Sequence, residues 1–268
     1  MVGSLITNGP TILLDAPFLG VPDVDSLVFF GLSLTAFIGS FIGVVTGTAG
    51  GLMVLAIMAF FFPPAILVPL HTFVQLGAST SIAVILRRYI MRATVLPFFI
   101  GAAIGAALGA QIFVALPTAI LQGIIGAFIL LLTWLPKFST MGSERNRFAV
   151  LGFGATFLGV FVSATGTLIG PFVFNASPER RNYAATMGIL MCISHITKIT
   201  AFTLLGMAIG AYVPLLVAMI ACGTLGSWVG GKALSRVPER LFRAVFRSLL
   251  TILALRLLWI AAREYGLI

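Results

Sequence analysis

Ionisable side chains inside long apolar runs are the first place to look for chemistry, because burying them in hydrocarbon is costly. This sequence has few. His71 and Gln75 stand four residues apart in one run, and His195 and Lys198 stand three apart in another, so each pair shares one helix face. Arg256 lies inside the last run and reads as a structural or interfacial residue rather than a ligand. All seven acids (Asp15, Asp23, Asp25, Glu144, Glu179, Glu239 and Glu264) fall at termini or between the runs. A cation site normally needs oxygen anions. An apolar interior offering cationic and neutral donors without carboxylates suits an anion instead.

Two Thr/Gly-rich breaks add to that reading: Thr46-Gly47-Thr48 with Gly50-Gly51, and Thr165-Gly166-Thr167. A helix interrupted at membrane depth leaves backbone N–H and C=O groups unpaired, which is tolerated only inside protein or beside a polar cavity. The helix that restarts presents its N-terminal N–H groups and dipole, which attract anions, and Thr hydroxyls add donors. Two such breaks facing each other would form one anion cradle. The expected substrate-binding set is therefore Thr46, Gly47, Thr48, Gly50, His71, Gln75, Thr165, Gly166, Thr167, His195 and Lys198. The competing reading of break glycines is close helix crossing. That reading is preferred for Gly39/Gly43/Gly47 and Gly101/Gly105/Gly109, which recur at four-residue spacing.

Enzymatic signatures are missing. There is no His-Glu-x-x-His pair, no Gly-rich loop ending in Gly-Lys-Ser/Thr and no Cys-x-x-Cys. Neither metal nor cofactor is expected, and any energised transport has to be secondary. Histidine titrates near neutral pH, so His195 makes a proton the candidate coupling ion.

The elements that must hold these residues follow from composition. Of 268 residues 60% are hydrophobic and 9% charged, and the mean hydropathy is +1.15. Soluble domains carry about 25% charged residues, so a soluble enzyme, a disulfide scaffold and a nucleic-acid-binding module are all excluded. At roughly 20 residues per span, the chain holds about eight to ten crossings of a lipid bilayer. Cys192 and Cys222 sit inside apolar runs, and the first ten residues lack the positive region of a signal peptide.

Apolar runs occupy about 27–45, 52–62, 65–86, 94–115, 118–135, 148–164, 168–176, 183–205, 211–233 and 241–262. Residues 1–26 read as an extracytoplasmic or interfacial lead-in, 27–136 as a first transmembrane repeat, 137–147 as a cytoplasmic linker and 148–268 as a second repeat. Internal matches carry the repeat. Gly105, Gly109 and Pro117 each recur 121 residues on, at Gly226, Gly230 and Pro238. Phe41-Ile-Gly43-Val44 recurs 116 residues on, at Phe157-Leu-Gly159-Val160, and both precede a Thr-Gly-Thr. If the short runs 52–62 and 168–176 cross, each half has an odd number of spans and the second is inverted. An N-terminus outside then puts 13 of the 16 basic residues inside, as the positive-inside bias favours. Re-entrant short runs would put Arg87, Arg88 and Arg92 outside. The expected fold is an all-α polytopic transmembrane helical bundle of two related, inverted halves with broken helices near the midplane, a common transporter plan.

The segments Phe41-Ile-Gly-Val-Val-Thr-Gly-Thr-Ala-Gly-Gly51 and Gly159-Val-Phe-Val-Ser-Ala-Thr-Gly-Thr-Leu-Ile-Gly-Pro171, with Pro63-Pro64 and the paired Gly-x-x-x-Gly…Pro stretches, resemble the sulfite exporter TauE/SafE family. The resemblance covers about 27–262. It implies a permease of the cytoplasmic (inner) membrane for small sulfur-containing anions such as sulfite, sulfonates or sulfoacetate. Rocking one half against the other would give alternating access around the central site. A passive anion channel and a non-transporting membrane scaffold are the alternatives, and the Gly-x-x-x-Gly faces leave a homodimer open.

Overall fold

The computed structural model describes residues 17–46, 50–134, 144–163, 165–177, 179–207, 209–233 and 239–264. Among these there are ten α-helices and no strand. They are α1 (Ser26–Thr46), α2 (Gly50–Met58), α3 (Pro64–Ile85), α4 (Arg92–Ala115), α5 (Thr118–Trp134), α6 (Glu144–Val162), α7 (Thr165–Ala176), α8 (Arg180–Leu204), α9 (Val213–Ala233) and α10 (Glu239–Glu264). The apolar runs became helices because hydrocarbon offers their backbones no other hydrogen-bond partner. α1, α3, α4, α8 and the segment Gly210–Gly230 are each long and apolar enough to cross a membrane.

The long helix α4 sorts its residues by size. On α4, Leu96, Ile100, Ile104, Leu108 and Ile112 form an exposed row at four-residue spacing, while Gly101, Gly105 and Gly109 line the buried face. Bulky apolar groups facing outward and small ones facing inward are the arrangement of a lipid-embedded bundle, where helix association relies on close backbone approach. α2 is enclosed instead: seven of its nine residues are buried. A short helix that is apolar all round belongs in such a place.

The closest helix pairs are α4 with α6 and α1 with α9, so the N-terminal and C-terminal halves of the chain are interlaced. Gly101, Gly105 and Gly109 press successively on the carbonyls of Ala149, Phe153 and Phe157. Gly226 and Gly230 press likewise on those of Phe37 and Phe41. In both pairs the contacts ascend together, so the helices are parallel. A side chain at Gly226 would have to displace the Phe37 backbone. Gly226→Val should cost about 1–3 kcal/mol, the usual range for overpacking, measured as unfolding in a mixed detergent; an unshifted transition would refute this packing.

The relation of α3 to α8 is opposite. Gly188 lies against Ala83, and the Thr80 hydroxyl pairs with Cys192 Sγ at 3.6 Å, so the contacts descend and the helices are antiparallel. Traverses α4, α5 and α6 alone would leave α8 parallel to α3. α7 therefore runs opposite to α6 and reverses the chain once more before α8. The same count between α1 and α9 requires α2 to reverse direction as well. α2 does run back along α1, with Gly50 against Gly43 and Val54 against Gly39.

Several boundaries differ from the sequence reading: α6 and α8 start at Glu144 and Arg180, ahead of the runs at 148 and 183, and both short helices are displaced. α2 covers 50–58 rather than 52–62, because Ala59–Phe62 close it in turns bonded to Leu55, Ile57 and Met58. α7 starts at Thr165, not 168, so Thr165-Gly166-Thr167 form its first turn and the second break lies between Val162 and Thr165.

Candidate functional site

Two neighbouring residues of α3 reach one break each. His71 Nε2 lies 2.8 Å from the Gly51 carbonyl in the first turn of α2. A carbonyl only accepts, so Nε2 carries the proton and donates. The Thr72 hydroxyl donates to Val68 O at 2.7 Å and stands 3.2 Å from Ser163 Oγ at the α6–α7 break. Ser163 has φ +55°, left-handed backbone that ends a helix and costs a non-glycine residue about 1–3 kcal/mol. Its N–H still donates to Gly159 O at 2.8 Å, so the last turn of α6 is closed.

From the other side α8 brings Ser194, His195 and Lys198. Lys198 Nζ donates to the same Gly159 carbonyl at 3.4 Å, which among the described residues leaves most of its donor capacity unspent. Both ring nitrogens of His195 are buried without a partner among the described residues, as is His71 Nδ1. Lys198, His195 and Thr165 are fully buried, and His71 is 1% exposed. The three basic side chains lie within electrostatic reach of one another. Ser194 is occupied elsewhere, accepting a hydrogen bond from Thr156 at 3.1 Å.

Gly159 is a glycine for a reason of space. A Cβ there would meet the Thr165 methyl and come 3.6 Å from Lys198 Nζ, so its absence lets the start of α7 and the lysine ammonium share one point on α6. Thr165 turns its hydroxyl to Met191 Sδ, 3.5 Å away on α8.

No carboxylate enters this centre among the described residues. Asp25 sits at the start of α1, where it accepts from the Val28 N–H at 2.7 Å; Glu179 precedes α8, and Glu144, Glu239 and Glu264 are terminal residues of α6 and α10. No group of three metal-ligating side chains occurs among the described residues either. A buried lysine with neutral donors and no acids forms an environment that attracts negative charge, because the surroundings screen little.

The structure thus brings His71, Thr165, His195 and Lys198 together, with Gln75 beside them, its amide against Gly51. Gly166 follows Thr165 and faces Met191. Gly50 opens α2 but its face is packed on the backbone of Gly39 and Gly43, so the close-crossing reading accounts for it. Thr46 ends α1 and Thr167 lies in the first turn of α7; their side chains, and Gly47 and Thr48 entirely, lie outside the described residues. Thr72, Ser163 and Gly159 were not expected. Their only sequence signal is position, next to His71 and beside a break. Arg256 stands apart, its guanidinium 4.3 Å from the Phe60 ring centroid.

A polytopic helical membrane protein with an occluded cationic centre is the class these features define. The family model for the sulfite exporter TauE/SafE matches residues 32–257, and the chain belongs to that family of membrane transporters. Neither a curated protein nor a solved structure matches the chain.

Proposed function

We propose that this protein is a secondary transporter that carries a small sulfur-containing anion, of the sulfite, sulfonate or sulfoacetate class, by alternating access. Lys198 supplies the charge, His195 supplies a donor with His71 beside it, Ser163 and Thr72 bring two hydroxyls to the α6–α7 break, and Thr165 opens α7 next to them. The observation that carries this reading is the buried Lys198–His195–His71 group with no carboxylate beside it among the described residues. An unneutralised cation in a bundle interior is costly, and a bound anion offsets that cost.

Burial also favours a transporter over a channel. In this conformation Lys198, His195 and Thr165 have no exposed surface, so a solute reaches them only after a rearrangement. Two related halves are supported by the equivalence of contacts: Gly105 on Phe153 and Gly109 on Phe157 correspond to Gly226 on Phe37 and Gly230 on Phe41, at the same 121- and 116-residue offsets as the sequence matches.

Uptake of radiolabelled sulfite and ethanesulfonate into proteoliposomes tests the reading. Thr165→Val keeps the shape and removes the hydroxyl, and a hydrogen bond of about 1–1.5 kcal/mol corresponds to a roughly tenfold slower uptake with an unchanged melting temperature. Unaltered uptake in this variant removes Thr165 from the site. Wild-type liposomes that take up neither anion remove the function.

A further inference from the structure

The hydrogen-bond partner of His71 fixes more than the position of its ring. Nε2 donates to the Gly51 carbonyl, so in the neutral imidazole the lone pair is on Nδ1. That atom is buried and has no partner among the described residues. A bare lone pair suits a cation or a donor; beside an anion's oxygen it is repulsive, and in a sealed interior little screens the repulsion. The charged or titratable groups that reach His71 are Lys198 and His195, both from α8. Neither supplies a negative charge that would make another cation welcome. α2 and α5 carry no titratable residue. α6 has Glu144, Arg145 and Arg147 only in its first turn, and α9 carries Cys222 and Lys232.

We infer that the site binds its anion together with one proton, and that His71 Nδ1 is the atom facing that proton. The inference rests on the anion-site reading above. The chemistry is the same whether the proton arrives on the ligand, as the O–H of a singly protonated oxyanion, or from solvent onto the imidazole. In both cases an N–H···O or N···H–O bond replaces a lone-pair repulsion. His71 then differs from Lys198: the lysine supplies attraction for any anion, while His71 makes binding depend on a proton.

Ethanesulfonate separates the two sources, because it has no ionisable proton at neutral pH. Titration calorimetry of the purified full chain, in buffers of different ionisation enthalpy, should show uptake of about one proton per ethanesulfonate bound, as linkage requires of a group protonated only in the complex. His71→Gln keeps an N–H for the Gly51 carbonyl and cannot hold the proton; it should bind more weakly with almost no proton uptake. The chain contains only two histidines, so 15N spectra of imidazole-labelled protein give an independent readout in the wild type. The His71 Nδ1 signal, assigned by comparison with His195→Gln, should move from the bare to the protonated range when ethanesulfonate is added. Binding without proton uptake, or an Nδ1 signal that stays bare, overturns this inference and leaves the anion site standing. Failure to bind any anion overturns both.

Discussion

Replacing Lys198 by methionine is expected to abolish anion transport while making the folded protein more stable. The ammonium is fully buried, and among the described residues it donates to Gly159 O, at a long 3.4 Å. Losing one partner of a buried, hydrogen-bonded charge contact costs about 2–5 kcal/mol of binding, and each 1.4 kcal/mol is a factor of about ten. Uptake should therefore fall roughly 30- to 3,000-fold. Stability moves the other way, because an apolar side chain of similar volume in place of a buried charge often contributes about 1–4 kcal/mol. Initial uptake rates and thermal unfolding followed by tryptophan fluorescence read the two effects separately. A variant that is less stable and still transports would make Lys198 a strut between α8 and α6 instead of a ligand.

Gly50→Ala should be the most damaging exchange in the first break. A methyl group there would strike the Gly39 carbonyl and stand 2.7 Å from the Gly43 N–H, and both obstacles are backbone. α2 then has to lift from α1, taking the Gly51 carbonyl away from His71. A destabilisation of about 3 kcal/mol, the upper part of the overpacking range, is expected together with loss of uptake. Gly51→Ala is the control. Its methyl meets only the end of the Gln75 side chain, which can swing aside, so the unfolding midpoint in detergent should hardly move. Equal effects of the two exchanges would contradict the packing described for α2.

The helices were legible because twenty apolar residues in a row admit one backbone solution in lipid, and their ends followed from Pro and basic residues. His71, His195 and Lys198 were legible for the same reason in reverse, since each is out of place in hydrocarbon. What could not be read was tertiary. Ser163 and Thr72 are ordinary small hydroxyl residues until two helices bring their oxygens to 3.2 Å. The pair Gly50-Gly51 carried two meanings in the sequence, anion contact and helix crossing. Only the position of the α1 backbone separates them: Gly50 is packed against it, while the Gly51 carbonyl faces His71. The pairing of α4 with α6 was similarly hidden, although the glycines responsible had been recognised as packing residues.

That interlacing changes which parts of the molecule are free to swing. The tightest seams, α1 to α9 and α4 to α6, each stitch a helix of the first half to a helix of the second. One half rocking against the other would have to unzip both seams at once. The seams instead tie the helices into two blocks, each drawing on both ends of the chain, with α3 and α8 packed on each other between them. The alternating access proposed above would then have to open along the line between these blocks, not between the N-terminal and C-terminal halves.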